Sequence, residues 1–262
     1  MKQLFRFKQF GIHQDRCAMK IGTDGVLLGG WTSLENHPET ILDIGAGTGL
    51  IALMLAQRSN AETVDAIEID EDAFEQCVEN FEASPWGDRL FCYHAGLDEF
   101  VVEWDDKYDL IVSNPPFFQA DTAGTDASRM AASKQNASEM AASRITASNV
   151  DTSRRMARFN DFLPFESLLD GVSHLLSPDG VFTAIIPYSE EDGFLALASE
   201  RGLHPQKLTR VRGNPTSKIK RSLLQFGFTK SDVNTDELVI ELQRHEYTEE
   251  YRALTKDFYL KV

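Results

Sequence analysis

The sequence predicts a doubly wound α/β fold, with a mostly parallel, seven-stranded sheet and a terminal antiparallel hairpin. Three observations predict it. Short runs rich in Ile, Val and Leu alternate with stretches of helical character between residues 40 and 201. A glycine-rich turn, Asp43-Ile44-Gly45-Ala46-Gly47-Thr48-Gly49, joins the first of these runs to a helix. Two more strand-like runs then follow with a turn between them, as a hairpin added to the sheet would require.

The elements follow in order. Thr40-Ile41-Leu42-Asp43-Ile44 is the first buried strand, and Leu50 to Arg58 the helix after the glycine turn. Thr63 to Ile69 is the second strand, and Asp70 is the N-cap of a helix that reaches Phe81. Leu90 to Tyr93 and Tyr108 to Ser113 are the third and fourth strands. A helix from Phe165 to Leu176 stops at Ser177-Pro178-Asp179-Gly180, where proline and glycine break the pattern. Val181 to Ile186 is the fifth strand, and Glu190 to Arg201 a further helix. Leu208 to Arg212 and Ser222 to Thr229 make the terminal hairpin, which brings the strands to seven.

One segment breaks the alternation. Residues 128–157 divide into three tens, SRMAASKQNA, SEMAASRITA and SNVDTSRRMA. This decapeptide repeat is rich in Ala and Ser and has too few large apolar side chains to pack a core. Its units are also too short for a stacked solenoid. Residues 120–157 therefore read as an exposed, mobile insertion in a single domain spanning 1–262.

Composition narrows the class. At 42% hydrophobic and 26% charged, the chain matches an ordinary globular protein. It has no apolar run of membrane-spanning length and no signal-peptide pattern at its start, so no membrane role is expected. Three scattered cysteines make neither a disulfide framework nor a zinc site, which points to no metal and a reducing cytoplasm. Nothing implies an obligate protein partner. The net charge of −15 disfavours a polyanion partner, but its distribution favours one. Residues 201–230 hold eight Lys or Arg and no acid, among them Arg212, Lys218, Lys220 and Arg221. Residues 127–158 carry a net +4, residues 1–22 another +4, and the remaining 178 residues −31. Basic segments on an acidic body steer a nucleic acid to one face; the competing reading is solvated surface charge.

Two short strings carry the chemistry. Gly45, Gly47 and Gly49 let the backbone turn sharply and approach a ligand, and the helix they open favours an anion at its N-terminus. The spacing is G-x-G-x-G, which departs from the G-x-G-x-x-G of dinucleotide sites. Asp43, just before the loop, is placed to meet the amino group of an amino-acid ligand. Glu68, at the end of the second strand, is placed to accept ribose hydroxyls. Together they point to S-adenosylmethionine. The second string, Asn114-Pro115-Pro116-Phe117, follows the fourth strand. Its prolines stiffen the turn, so the Asn114 side-chain oxygen and the Pro115 carbonyl can each accept one N–H of a planar amine. Such acceptors favour the pyramidal nitrogen of the transition state, and Phe117 offers a face for base stacking. Alone, this string reads as a strand-ending turn with Phe117 in the core. After the fourth strand of a cofactor-binding sheet, it reads as a clamp for methyl transfer to nitrogen.

Asp43–Gly49, Glu68 and Asn114–Phe117 resemble the Rossmann-like class I S-adenosylmethionine-dependent methyltransferases. The closer resemblance is to the bacterial tRNA(Val) adenine-N6 methyltransferase family. It is carried by Phe7-Lys8-Gln9-Phe10-Gly11-Ile12-His13-Gln14 and Cys17-Ala18-Met19-Lys20-Ile21-Gly22-Thr23-Asp24-Gly25-Val26-Leu27-Leu28-Gly29, within residues 1–30. Tyr247-Thr248-Glu249-Glu250-Tyr251 and Leu254-Thr255-Lys256-Asp257-Phe258-Tyr259-Leu260 resemble the family's closing segment.

The resemblance implies methyl transfer to the amine of adenine 37, in the tRNA anticodon loop. It also implies that Lys20 and Asp24 line the cofactor pocket, and that Arg155 and Arg158 contact RNA. The residues alone read otherwise: Thr23 as an N-cap, Asp24 as a first-turn acid, and both arginines as solvated. One departure is local. The third strand ends near Gly96 rather than at an acid, with Asp98 two residues later, so the residue that meets the cofactor adenine is left open. The same clamp also suits guanine N2 in ribosomal RNA or protein glutamine N5, and a cofactor-binding RNA module with little turnover is the reading from a different class.

Overall fold

The computed structural model describes residues 4–116 and 163–261. Phe117, Arg155, Arg158 and the insertion at 120–157 therefore lie outside the described residues. The chain divides into two units, Met1–Pro115 with Leu163–Val262 as one and Pro116–Phe162 as the other. The first unit holds all the described residues except Pro116.

Its centre is a sheet of β3 (Thr40–Ile44), β4 (Thr63–Glu68), β5 (Leu90–His94), β6 (Tyr108–Ser113), β7 (Leu176–Pro187), β8 (His204–Arg212), β9 (Ile219–Gly227) and β10 (Asn234–Val239). Across the sheet the order is β10-β8-β9-β7-β6-β3-β4-β5. Strands β3 to β7 run parallel, and β9 is antiparallel to both β7 and β8. The predicted hairpin is thus present. Separate small ribbons pair β1 (Leu4–Arg6) with β2 (Gly11–His13) and β11 (Glu241–Gln243) with β12 (Glu246–Tyr247).

Helices cover both faces. The strand period of two sends alternate residues to opposite sides. Ile41, Val64, Leu110, Val112, Ile185 and Leu223 share a core with α1 (Thr23–Trp31), α2 (Leu50–Arg58) and the buried stripe of α3 (Glu71–Glu82). Leu42, Ile44, Ile67, Ile111, Ile186 and Leu224 share the other with α4 (Leu97–Glu103), α5 (Phe165–Leu175) and α6 (Glu191–Glu200). Burial on both faces explains why the parallel strands read as near-continuous apolar runs.

Three details differ from expectation. The sheet has eight strands where seven are predicted. The extra one, β10, is an edge strand with the acid-rich sequence Asn-Thr-Asp-Glu-Leu-Val, and Leu238 is its one buried residue. It joins by backbone pairing parallel to β8, which needs no apolar periodicity. Strand β7 starts at Leu176 and bulges through residues 177–180 before it regains register at Leu110 and Val181. Thr23 is not an N-cap: Gly22 holds that position in extended conformation, no side chain caps the helix, and Thr23 is its first residue. Asp70 does cap α3, accepting from Ala73 N–H at 2.8 Å.

Candidate active site

The register carries every chemical motif to one edge. Ile44 pairs with Ile67 on one side and Ser113 on the other, so the glycine loop, Glu68 and Asn114 all emerge at the carboxyl ends of neighbouring strands. That edge is where open α/β sheets hold their ligands. Pro187 at the end of β7 faces Arg221 near the start of β9, which brings the β8–β9 turn to the same edge.

The loop is a left-handed turn with φ of 74°, 55° and 77° at Gly45, Gly47 and Gly49. Only glycine takes those values without strain. At Gly49 packing forbids a side chain as well, because a Cβ would fall 2.5 Å from Phe81 Cε1 and 2.8 Å from Cys77 Sγ. At Gly45 and Gly47 a Cβ would meet nothing within 4 Å, which leaves that side of the loop open for a ligand. Gly45 and Ala46 donate their N–H groups to Ile67 O at 3.0 and 3.1 Å, tying the loop to β4.

Glu68 braces the loop from below. Its Oε2 accepts from Gly47 N–H at 2.7 Å and its Oε1 from Asp70 N–H at 2.9 Å. Burial raises its pKa above the ordinary carboxylate value, while these N–H donors pull it back down. Each oxygen keeps an acceptor position for a hydroxyl. Beside it, Ile69 is 52% exposed although apolar, and a Cβ on Gly96 would approach its Cδ1 to 3.5 Å. Ile69 and Gly96 thus make a candidate apolar contact for a purine next to Glu68. Periodicity could not reveal Ile69, because it reads as one more strand residue.

Asp43 is wholly buried. Its Oδ2 accepts from Ala52 N–H at 3.1 Å, in the first turn of α2, and its Oδ1 is buried with no hydrogen-bond partner. Burial pushes its pKa up to about 7, the Ala52 N–H lowers it and the Glu68 charge raises it. A buried acceptor without a donor is the feature that a cationic amino group, or a water serving one, would satisfy.

Asn114 and Pro115 follow β6 directly. Ser113 Oγ donates to Ile44 O at 2.9 Å and locks β6 against β3 at the level of the loop. Asn114 Oδ1 is buried and unpaired. This candidate clamp acceptor is thus shielded from water with its lone pairs free. Phe117, its third element, lies outside the described residues.

The N-terminal segment reaches the same place through Asn80 of α3. Asn80 Nδ2 donates to Thr48 O at 2.9 Å and His13 O at 3.0 Å, and its Oδ1 accepts from His13 N–H at 2.8 Å. Asp24 is held by Arg221, whose Nε donates to Oδ2 at 2.8 Å, and Lys20 is exposed.

Half of the basic run is paired with carboxylates inside the molecule. Arg201 meets Asp170 at 2.6 Å, Arg210 meets Glu191 at 2.6 Å, and Arg212 meets Glu237 at 2.6 Å. With Arg221 on Asp24, four of its cations have carboxylate partners. Lys218 and Lys220, in and after the β8–β9 turn, are exposed. Among the described residues no group of His, Cys, Asp or Glu is arranged to hold a metal ion. None of their helices is long and apolar enough to cross a membrane.

A glycine loop with open backbone, a carboxylate at the next strand end and an Asn-Pro-Pro turn at a third mark a class I methyltransferase. The comparisons agree. A family model for the methyltransferase small domain matches residues 26–137. A crystal structure from Agrobacterium tumefaciens, described as a predicted O-methyltransferase, superposes with a TM-score of 0.62. It covers 90% of this chain and 96% of its own at 16% identity, which is a likeness of fold alone. A Flavobacterium johnsoniae protein named tRNA1(Val) (adenine(37)-N6)-methyltransferase is 55% identical over 260 residues, spanning 99% of this chain and 100% of that relative. A Bacteroides fragilis protein of the same name is 44% identical over 264 residues, spanning 98% of each. The chain belongs to this tRNA1(Val) (adenine(37)-N6)-methyltransferase family.

Proposed function

We propose that the protein moves a methyl group from S-adenosylmethionine to the exocyclic N6 amine of adenine 37 in tRNA(Val). The observation that carries this reading is the buried, unpaired Oδ1 of Asn114 at the end of β6, one strand from the glycine loop. When bound, S-adenosylmethionine supplies an electrophilic methyl group on a sulfonium. The protein's part is to hold and orient. The Gly45 and Gly47 backbone and Glu68 are the residues to bind the cofactor, with Asp43, Lys20 and Asp24 completing the set.

Asn114 Oδ1 and the Pro115 carbonyl accept the two N–H groups of the adenine amine. The nitrogen lone pair, otherwise delocalised into the ring, is then turned out of the ring plane toward the methyl group. Acceptors carried on a turn stiffened by two prolines need little rearrangement during the reaction. The adenine must leave its stack to reach this depth, and Phe117 is the residue to stack upon it. Arg155, Arg158, Lys218 and Lys220 are the cations to meet phosphates, with Arg212 and Arg221 sharing that role through their exposed edges. The three cysteines are all free, which supports work in the reducing cytoplasm.

Transfer of labelled methyl to unmodified tRNA(Val), followed by nucleoside analysis, tests the reading. N6-methyladenosine is the expected product. Asn114→Ala should lower turnover about a hundredfold or more while cofactor affinity is kept. Cofactor binding with no label in that tRNA overturns the acceptor, and equal loss of binding and turnover in the variant overturns the clamp.

A further inference from the structure

We propose that Tyr188 is a stacking platform for the nucleotide flanking the methylated adenine, and so a positioning residue for the RNA. This rests on the tRNA reading above. Strand β7 lies beside β6 with Ala184 opposite Ser113, which sets Ile185 level with Asn114. Tyr188 is three residues further along, about 10 Å beyond the clamp at roughly 3.3 Å per residue. It opens a 3-10 turn, Tyr188–Glu190, directly after Pro187 at the carboxyl edge. That is within reach of a neighbouring nucleotide once the target base has been drawn into the site.

The ring is not a core residue. Ala184, Ile185 and Ile186 are wholly buried, whereas Tyr188 is 39% exposed. Yet it is held in place. The Arg210 guanidinium carbon sits 5.5 Å from the ring centroid. Arg210 is fixed in turn by Glu191, with Nη2 to Oε1 at 2.6 Å and Nε to Oε1 at 3.1 Å. Glu191 is 2% exposed and also accepts from Ser222 Oγ. Burying a carboxylate is costly unless its partners are complete. Here the outcome is an arginine fixed against one face of an exposed aromatic ring. A ring braced by a cation and 39% exposed is suited to stack an electron-rich base, as rings of single-stranded nucleic-acid sites do. Ring, guanidinium and clamp thus line one edge of the sheet.

Steady-state kinetics on an unmodified anticodon stem-loop of tRNA(Val) tests the assignment. Tyr188→Ala should raise KM for the RNA about tenfold or more, with KM for S-adenosylmethionine and kcat at saturating RNA within about twofold of wild type. Tyr188→Phe and Tyr188→Trp should restore KM, because a ring and not a hydroxyl is required. Emission from the new tryptophan, taken as the difference from wild type, should fall when the stem-loop binds. Unchanged KM in Tyr188→Ala, or an unquenched tryptophan on bound RNA, overturns the proposal while wild-type activity keeps the tRNA reading. A wild-type enzyme that ignores the stem-loop and intact tRNA overturns both.

Discussion

At Asp43 a full carboxylate has no exposed surface and one oxygen without a donor. Its folded pKa of about 7 stands above the unfolded value of roughly 3.9, chiefly through burial. A raised carboxylate pKa means that the folded chain keeps a proton the unfolded chain has released. The resulting penalty is absent below about pH 4, grows as pH rises toward 7, and is fully present above that. Asp43→Asn removes the charge and keeps an acceptor for Ala52 N–H. The variant without cofactor should therefore gain little stability at pH 4 and on the order of a few kcal/mol at pH 8. Urea melts at both pH values would show it, and an equal change at both would disprove the buried-charge account. Cofactor affinity should fall in the same variant if the orphaned oxygen is the proposed point of contact. Asp43, Glu68, Asn114 and the three glycines were legible as candidate site residues from order and spacing alone. Ile69 and Tyr188 were not, because neither carries a motif and their exposure depends on what the rest of the chain leaves uncovered.

Among the elements, the β8–β9 hairpin shows most clearly what a charge count conceals. Residues 201–230 read as eight free cations. Arg201, Arg210, Arg212 and Arg221 instead pair with Asp170, Glu191, Glu237 and Asp24, and Lys207 Nζ lies 4.6 Å from the Trp31 ring centroid. The two exposed lysines at the clamp edge are then the cations of this hairpin proposed to meet phosphate. Lys218→Gln with Lys220→Gln should flatten the salt dependence of tRNA binding by about 1.4 to 1.8 log units per decade of salt. A titration from low to moderate salt measures this slope. An unchanged slope would move the RNA face elsewhere. Strand β10 is a second case: its acids supply partners for Arg212 and Thr209, and its strand character comes from an edge already in place.

Over the whole molecule, the two ends of the chain are joined. Lys8 N–H donates to Phe258 O at 2.8 Å and Lys8 Nζ to Lys256 O at 2.6 Å. Phe7 stacks on Phe10 and Tyr259 at centroid distances of 4.8 and 5.7 Å. A Cβ at Gly30 of α1 would fall 2.5 Å from Leu254 O, so α7 (Glu249–Thr255) packs backbone-close against it. Phe258, 1% exposed, anchors this closure. Phe258→Ala should cost about 3–5 kcal/mol and lower Tm by roughly 10 °C. Calorimetry gives the value, and a loss under about 1 kcal/mol would show that the closing segment does not brace the fold. Both signature segments of the sequence were legible as strings, but nothing in either indicated that they meet.

By itself, the sequence determined the alternation of strands and helices, the glycine loop and the methyl-transfer chemistry, and it put forward the amine clamp. Each of these depends on residues within a few positions of one another, where backbone preference and periodicity act. Only the tertiary structure decided which cations are paired, that an eighth strand extends the sheet, and that Tyr188 stands exposed at its carboxyl edge. Those outcomes depend on partners far along the chain, 197 residues apart for Arg221 and Asp24. Burial and charge pairing at such separations arise from packing, which no local pattern encodes.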